Sequence, residues 1–113
     1  MRSKIFALSK NEDFKILITK KKISNKYVTI FFGNLVNKNN RKLNISFVVK
    51  KKIGNAVKRN KIKRRLRNIM NEAVKKISIK FDFSYLVIAK STMLNNEFKI
   101  IKETLFQEFK KIK

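Results

Sequence analysis

Residues 50–68 read KKKIGNAVKRNKIKRRLRN, and from Ile62 the apolar positions continue through Leu66, Ile69, Met70, Ala73, Val74 and Ile77. That spacing is the rhythm of one buried stripe on an α-helix, and no strand would use it. It predicts a helix over 56–77 with one side committed to a core. On the helical wheel Asn60, Lys61, Arg64, Arg67 and Asn68 fall on the other side. A disordered basic tail has no reason to keep such a stripe, so the segment predicts a folded body that holds a basic face rigidly toward an anionic partner. Gly54 and Asn55 interrupt the pattern just before this helix, where a backbone needing positive φ or a cap would place them.

The charge is concentrated around that helix. The chain of 113 residues carries a net charge of +23, and eighteen Lys and Arg lie between Asp13 and Glu72, an interval with no acidic residue. Within 50–67, ten of eighteen residues are basic and none is acidic, so no ion pair inside the segment can relieve their repulsion. Phosphates would relieve it. Asn60 and Asn68 add amides, which can read base edges or 2′-hydroxyls where a cation cannot. The backbone N–H groups at Gly54 and Asn55 could form a phosphate nest at the helix start. Each feature has a plainer reading as a solvated face, a turn or a cap. Together they favour an RNA surface made of Lys51, Lys52, Asn55, Arg59, Asn60, Lys61, Lys63, Arg64, Arg67 and Asn68.

With no Cys and no His, the chain lacks thiol chemistry, histidine bases and the usual zinc ligands. Its seven carboxylates are scattered, and only Glu12 and Asp13 adjoin, where they read as capping and dipole groups at a helix start. The sequence therefore predicts no catalytic residue and no metal ligand set. No apolar run approaches a membrane span, and MRSKIFALSK is too short in apolar residues for a signal peptide, so a soluble cytoplasmic protein with no membrane partner is expected. Apolar content of 43% with ten Phe argues against disorder, and the length suits a single RNA-binding domain over 1–113.

Ser9 and Glu12 form a capping-box signature, and Phe14, Leu17 and Ile18 give an apolar side, predicting a first helix over 10–19 that the lysines of 20–22 end. Residues 27–32 and 43–49 read as strands with a turn at 37–40 between them. Residues 85–89 suit an interior strand, and Phe98, Ile101, Leu105, Phe109 and Ile112 mark a last helix. The order predicts an α+β fold: a two-layer sandwich with a small mixed sheet packed by helices. If the strand after the basic helix lies parallel to the one before it, the handedness rule predicts a right-handed crossover in about 98% of cases.

Aromatic residues are more often core than base platforms, and Phe98 and Phe109 sit on the last helix's stripe. Phe14 and Phe31 differ, since a short first helix laid against a sheet can leave a cleft where single-stranded RNA stacks. Asp13 beside Phe14 suggests an orientation near solvent.

The segment KKIGNAVKRNKIKRRLR is similar to the signature of the bacterial ribonuclease P protein component, whose helix carries an Arg-Asn-Arg element after an Ile-Gly-Asn-Ala-Val turn; here the element is Arg59-Asn60-Lys61. LSKNEDFKILI from Leu8 looks like that family's first helix, and the strand at 85–90 and the last helix correspond too. The resemblance implies an accessory subunit of a ribozyme that removes the 5′ leader of precursor tRNA, with hydrolysis at Mg2+ ions held by the RNA and one protein per RNA. It implies that the basic helix faces the catalytic RNA, that Phe14, Ile18 and Phe31 line a leader cleft, and that the crossover is left-handed, against the general rule. Three positions depart from the family pattern. Lys61 lacks the bidentate fork of arginine, Ile18 stands where an aromatic is common, and Lys50 replaces a small hydroxyl residue. A ribosomal protein binding rRNA would share the size and charge, and a helix-turn-helix DNA protein would need a short Gly turn and a second helix that 56–77 lacks.

Overall fold

Side chains point alternately to the two faces of one sheet, and the burial of consecutive residues along its central strands shows that both faces are covered. The computed structural model describes residues 5–7, 11–35, 43–77, 79, 83–94 and 97–112. Its elements are β1 (Ile5–Ala7), α1 (Asn11–Leu17), β2 (Lys21–Ser24), β3 (Val28–Gly33), β4 (Leu43–Val48), α2 (Ala56–Lys76), β5 (Ser84–Ala89) and α3 (Phe98–Lys111). Two 3-10 helices, Lys51–Ile53 and Ser91–Leu94, follow β4 and β5. The sheet order is β1-β4-β5-β3-β2. β4 runs parallel to both β1 and β5, and β3 is antiparallel to β5 and β2, so the sheet is mixed as expected. The parallel pairing of β4 with β5 makes α2 a crossover helix, the condition on which the handedness expectation rested.

One face carries the main core. Val28, Ile30 and Phe32 of β3, Leu43 and Ile45 of β4, and Tyr85, Val87 and Ala89 of β5 meet Ile62, Leu66, Ile69, Met70 and Ala73 of α2. Ile101, Leu105 and Phe109 of α3 complete it, with the Phe109 ring 5.5 Å from that of Tyr85. The stripe read from the sequence on α2 is thus buried from Ile62 to Ala73 and half-buried at Val74 and Ile77, and Phe98 of α3 packs at the core's margin, half-buried under Lys102. On the other face α1 lies across β3 and β5, where Leu17 and Leu86 are buried and Phe14, Phe31, Leu35, Val48 and Ile88 pack around them.

Several boundaries and two strands differ from expectation. α1 stops at Leu17, before the lysines: the N–H of Ile18 still reaches Phe14 O, but the Thr19 hydroxyl turns back onto Ile16 O at 2.6 Å and the chain bends away. The lysine run then enters β2, an edge strand held by its ladder to β3. Lys21, Lys22 and Ser24 are exposed there, so nothing apolar announced it, and lysines on an edge discourage pairing with other chains. β1 is three residues long, too short for any period to register. The turn at 37–40 and Ser9 of the capping box lie outside the described residues.

Candidate nucleic-acid interface

Asn55 fixes the start of α2. Its Oδ1 accepts the Lys58 N–H at 3.0 Å, so the cap alternative holds at this position. Gly54 has φ 168 and ψ −175, an extended backbone open to any residue, so no positive φ is required. The Lys58 stem runs close by: a Cβ at Gly54 would lie 3.1 Å from Lys58 Cδ. Arg59 is half-buried because its Nε donates to Gly54 O at 3.2 Å, tying the guanidinium back across the cap. The turn and the first basic residue of the Arg-Asn-Lys element are therefore one locked unit.

Along the helix, burial follows the wheel. Asn60, Lys61, Arg64, Arg67 and Asn68 are all exposed and share the outer row, with Val57, 76% exposed, at its start. Lys63 is half-buried at the edge of the stripe, and Lys51 and Lys52 are exposed on the 3-10 helix that leads into the cap. The first turn of α2 holds no acidic residue. Glu72, near the far end, accepts from Lys76 at 3.3 Å and from Lys102 of α3 at 3.1 Å. Its carboxyl is held below the ordinary value of 4.5, first by the Lys102 hydrogen bond and with help from Lys76, against a partial desolvation acting upward. That cluster joins α2 to α3 and leaves the basic row forward of it open.

The second candidate surface is on the opposite face of the sheet. Phe14 and Phe31 are both half-buried and belong to one cluster, whereas Ile18 is 52% exposed and lies outside it. Asp13, expected near solvent, is only 8% exposed: it is in the first turns of α1, where the helix meets the sheet, while Phe14 is the residue left partly open. Register explains what flanks Phe31. Lys22 stands opposite it on β2 and Leu86 on β5, and one step along the same face come Thr29 and Ile88. Beyond these a groove of about 540 Å³ is lined by Thr29, Lys50, Lys52, Ile53, Ile88, Lys90 and Thr92.

Lys50 follows β4 and Lys90 follows β5, so both line one groove where parallel strands end, the usual location of ligands on such sheets. Lys90 is braced by Ser24 Oγ at 2.9 Å and by Asn25 O. Sequence reasoning missed Lys90, Lys22 and Thr29. The available signal was a lysine directly after an apolar run, but only the parallel pairing sets it on one groove with Lys50. Among the described residues no three acidic side chains converge as a metal site would require, and no helix is long and apolar enough to cross a membrane.

A mixed sheet with a basic crossover helix on one side and an aromatic, lysine-edged cleft on the other defines an α+β RNA-binding protein. The family model described as Ribonuclease P matches residues 3–113. The ribonuclease P protein component of Carboxydothermus hydrogenoformans is 34% identical over 110 residues, covering 94% of this chain and 90% of its own. Among solved structures, the RNase P protein from Thermotoga maritima superposes with a TM-score of 0.80 at 26% identity, covering 96% of this chain and 98% of its own. A Staphylococcus aureus RNase P protein mutant with defective mRNA degradation activity gives a TM-score of 0.78 at 29% identity, with coverages of 94% and 86%. The chain belongs to the ribonuclease P protein family. It is a protein subunit of ribonuclease P, an endoribonuclease complex of tRNA processing in which its partner is the ribonuclease P RNA; these relatives give no support to a ribosomal role.

Proposed function

We propose that this subunit works as two surfaces on one rigid sheet, with α2 bound to the catalytic RNA and the α1 face bound to the 5′ leader of precursor tRNA. Arg59, Asn60, Lys61, Lys63, Arg64, Arg67 and Asn68, with Lys51, Lys52 and Asn55 ahead of them, form the first surface. Phe14 and Phe31 form the stacking floor of the second. Lys22 flanks that floor and Lys50, Lys52 and Lys90 line the groove beyond it, where they neutralise leader phosphates. Ile18, exposed beside the cleft, meets the leader at its margin.

The observation that carries this reading is the pairing of half-buried aromatics with a lysine-lined groove on the same sheet face. A pure core has no use for the lysines. The sequence has no His or Cys, and among the described residues no acidic side chains cluster as a metal site would need; on this reading the hydrolytic step belongs to the RNA subunit, one protein serves one RNA in the cytoplasm, and the protein raises the affinity of that ribozyme for leader-bearing substrate. The test is the affinity of the reconstituted complex for precursor and for mature tRNA, with and without protein. A preference for precursor that appears only with protein is the expected result; equal affinities would remove the leader surface.

A further inference from the structure

Between α2 and the 3-10 helix Ser91–Leu94 lies a groove of about 200 Å³ that adjoins the α2 surface through Lys61 and is lined by Lys58, Lys61, Ile62, Arg65, Met93 and Leu94. Ile62 and Met93 are buried with almost no accessible surface, so half-buried Leu94 gives the groove its accessible apolar floor. Lys58, Lys61 and Arg65 stand along one flank at spacings of three and four, the separation at which like charges on a helix repel. Among the described residues, none of the three side chains has an ion pair or hydrogen-bond partner. The far wall is fixed, because the Thr92 hydroxyl bonds Lys26 O at 2.6 Å and the Met93 N–H bonds Lys90 O at 3.1 Å.

We infer that this groove takes one unpaired nucleotide of the RNA bound on α2, its base against Leu94 and its phosphates on Lys58 and Lys61. A phosphate alone gains nothing from an apolar floor, and an apolar ligand gains nothing from three cations. A nucleotide carries both chemistries on one unit. The base is unpaired because the faces of a paired base are already covered by its stacked neighbours. Arg65, half-buried at the edge of the groove, supplies a flat guanidinium against the base as well as a charge. The inference rests on the reading that α2 faces RNA.

The decisive measurement is NMR titration of the wild-type protein with a five-nucleotide RNA bearing a central adenosine, and with the same RNA made abasic at its centre. The base-bearing RNA is expected to bind roughly five- to tenfold more tightly and to move the side-chain signals of Ile62, Met93 and Leu94. Leu94→Trp, which fills the groove and keeps every cation, is expected to abolish the difference. Equal affinities with those signals unmoved would overturn the inference, as would AMP binding as tightly as the pentanucleotide, which would assign the groove to a free nucleotide. The wild-type comparison stands even if Leu94→Trp does not fold. Failure of the underlying reading is separately visible: Arg64→Ala with Arg67→Ala would then leave affinity for the ribonuclease P RNA unchanged, whereas failure of the groove alone leaves that double variant weakened.

Discussion

At the scale of single residues, half-burial is the informative state. A Phe fully inside a core costs about 3 to 5 kcal/mol when cut to Ala, but Phe14 keeps part of its ring in solvent. Phe14→Ala should therefore lose about 1 to 2 kcal/mol of stability, read by chemical denaturation, from the smaller area it covers. The same variant should lose about 1 to 3 kcal/mol in binding leader-bearing substrate, in proportion to one stacked base. A loss of 3 kcal/mol or more in stability, with precursor and mature tRNA still discriminated normally, would make Phe14 a core residue. Asn55 poses a cleaner case, since its side chain is exposed and its Oδ1 is engaged by Lys58 N–H. Asn55→Ala should cost about 1 kcal/mol by losing the cap. Asn55→Asp, which retains an accepting oxygen, should restore most of it.

On the scale of elements, α2 separates its core side from its proposed RNA side by angle around its axis. Because Arg64 and Arg67 are exposed while Ile62, Leu66 and Ile69 are buried, replacing both arginines by Ala should change stability by less than about 0.5 kcal/mol. RNA affinity should fall, and each lost phosphate contact should flatten the dependence of log K on log salt by roughly 0.7 to 0.9. Filter binding over a range of salt concentrations checks it; an unchanged slope would move the RNA to another face. The α2–α3 junction has its own signature through Glu72. Its folded pKa lies below the unfolded value, so the ion pairs with Lys102 and Lys76 contribute stability that is present above the ordinary carboxylate value of 4.5 and is lost as pH falls through the lower, folded one. Denaturation midpoints of wild type and Glu72→Gln should differ near pH 7 and converge below that window. A gap that persists at low pH would mean that Glu72 acts through packing instead of charge.

For the whole molecule, α2 and α1 lie on opposite faces of one sheet, so the two proposed RNA surfaces have only Lys52 in common. Purified protein should cleave no RNA by itself, and adding it to the ribonuclease P RNA at low magnesium should raise cleavage of precursor tRNA. Cleavage by the protein alone, surviving repurification and equal in an RNA-free preparation, would contradict a non-catalytic subunit. Screening should also weigh on assembly as a whole, because a surface with a net charge of +23 associates through released counterions.

Chain periodicity was enough to determine α2, α3 and the central strands, because a stripe of Ile, Leu and Met at helical spacing or an apolar run such as 85–89 encodes its own burial locally. It was also enough to determine the outer row of Asn60, Lys61, Arg64, Arg67 and Asn68, which is simply the complement of that stripe. β1 and β2 were decided by tertiary structure alone: three residues carry no period, and an exposed edge strand exists only because β3 offers it a ladder. The burial of Asp13 and the exposure of Ile18 follow from how α1 lies on the sheet, and only tertiary structure sets Lys50 and Lys90 on one groove. That groove follows from which strands lie side by side, and parallel pairing between β4 and β5, forty residues apart in sequence, leaves no mark on either strand alone.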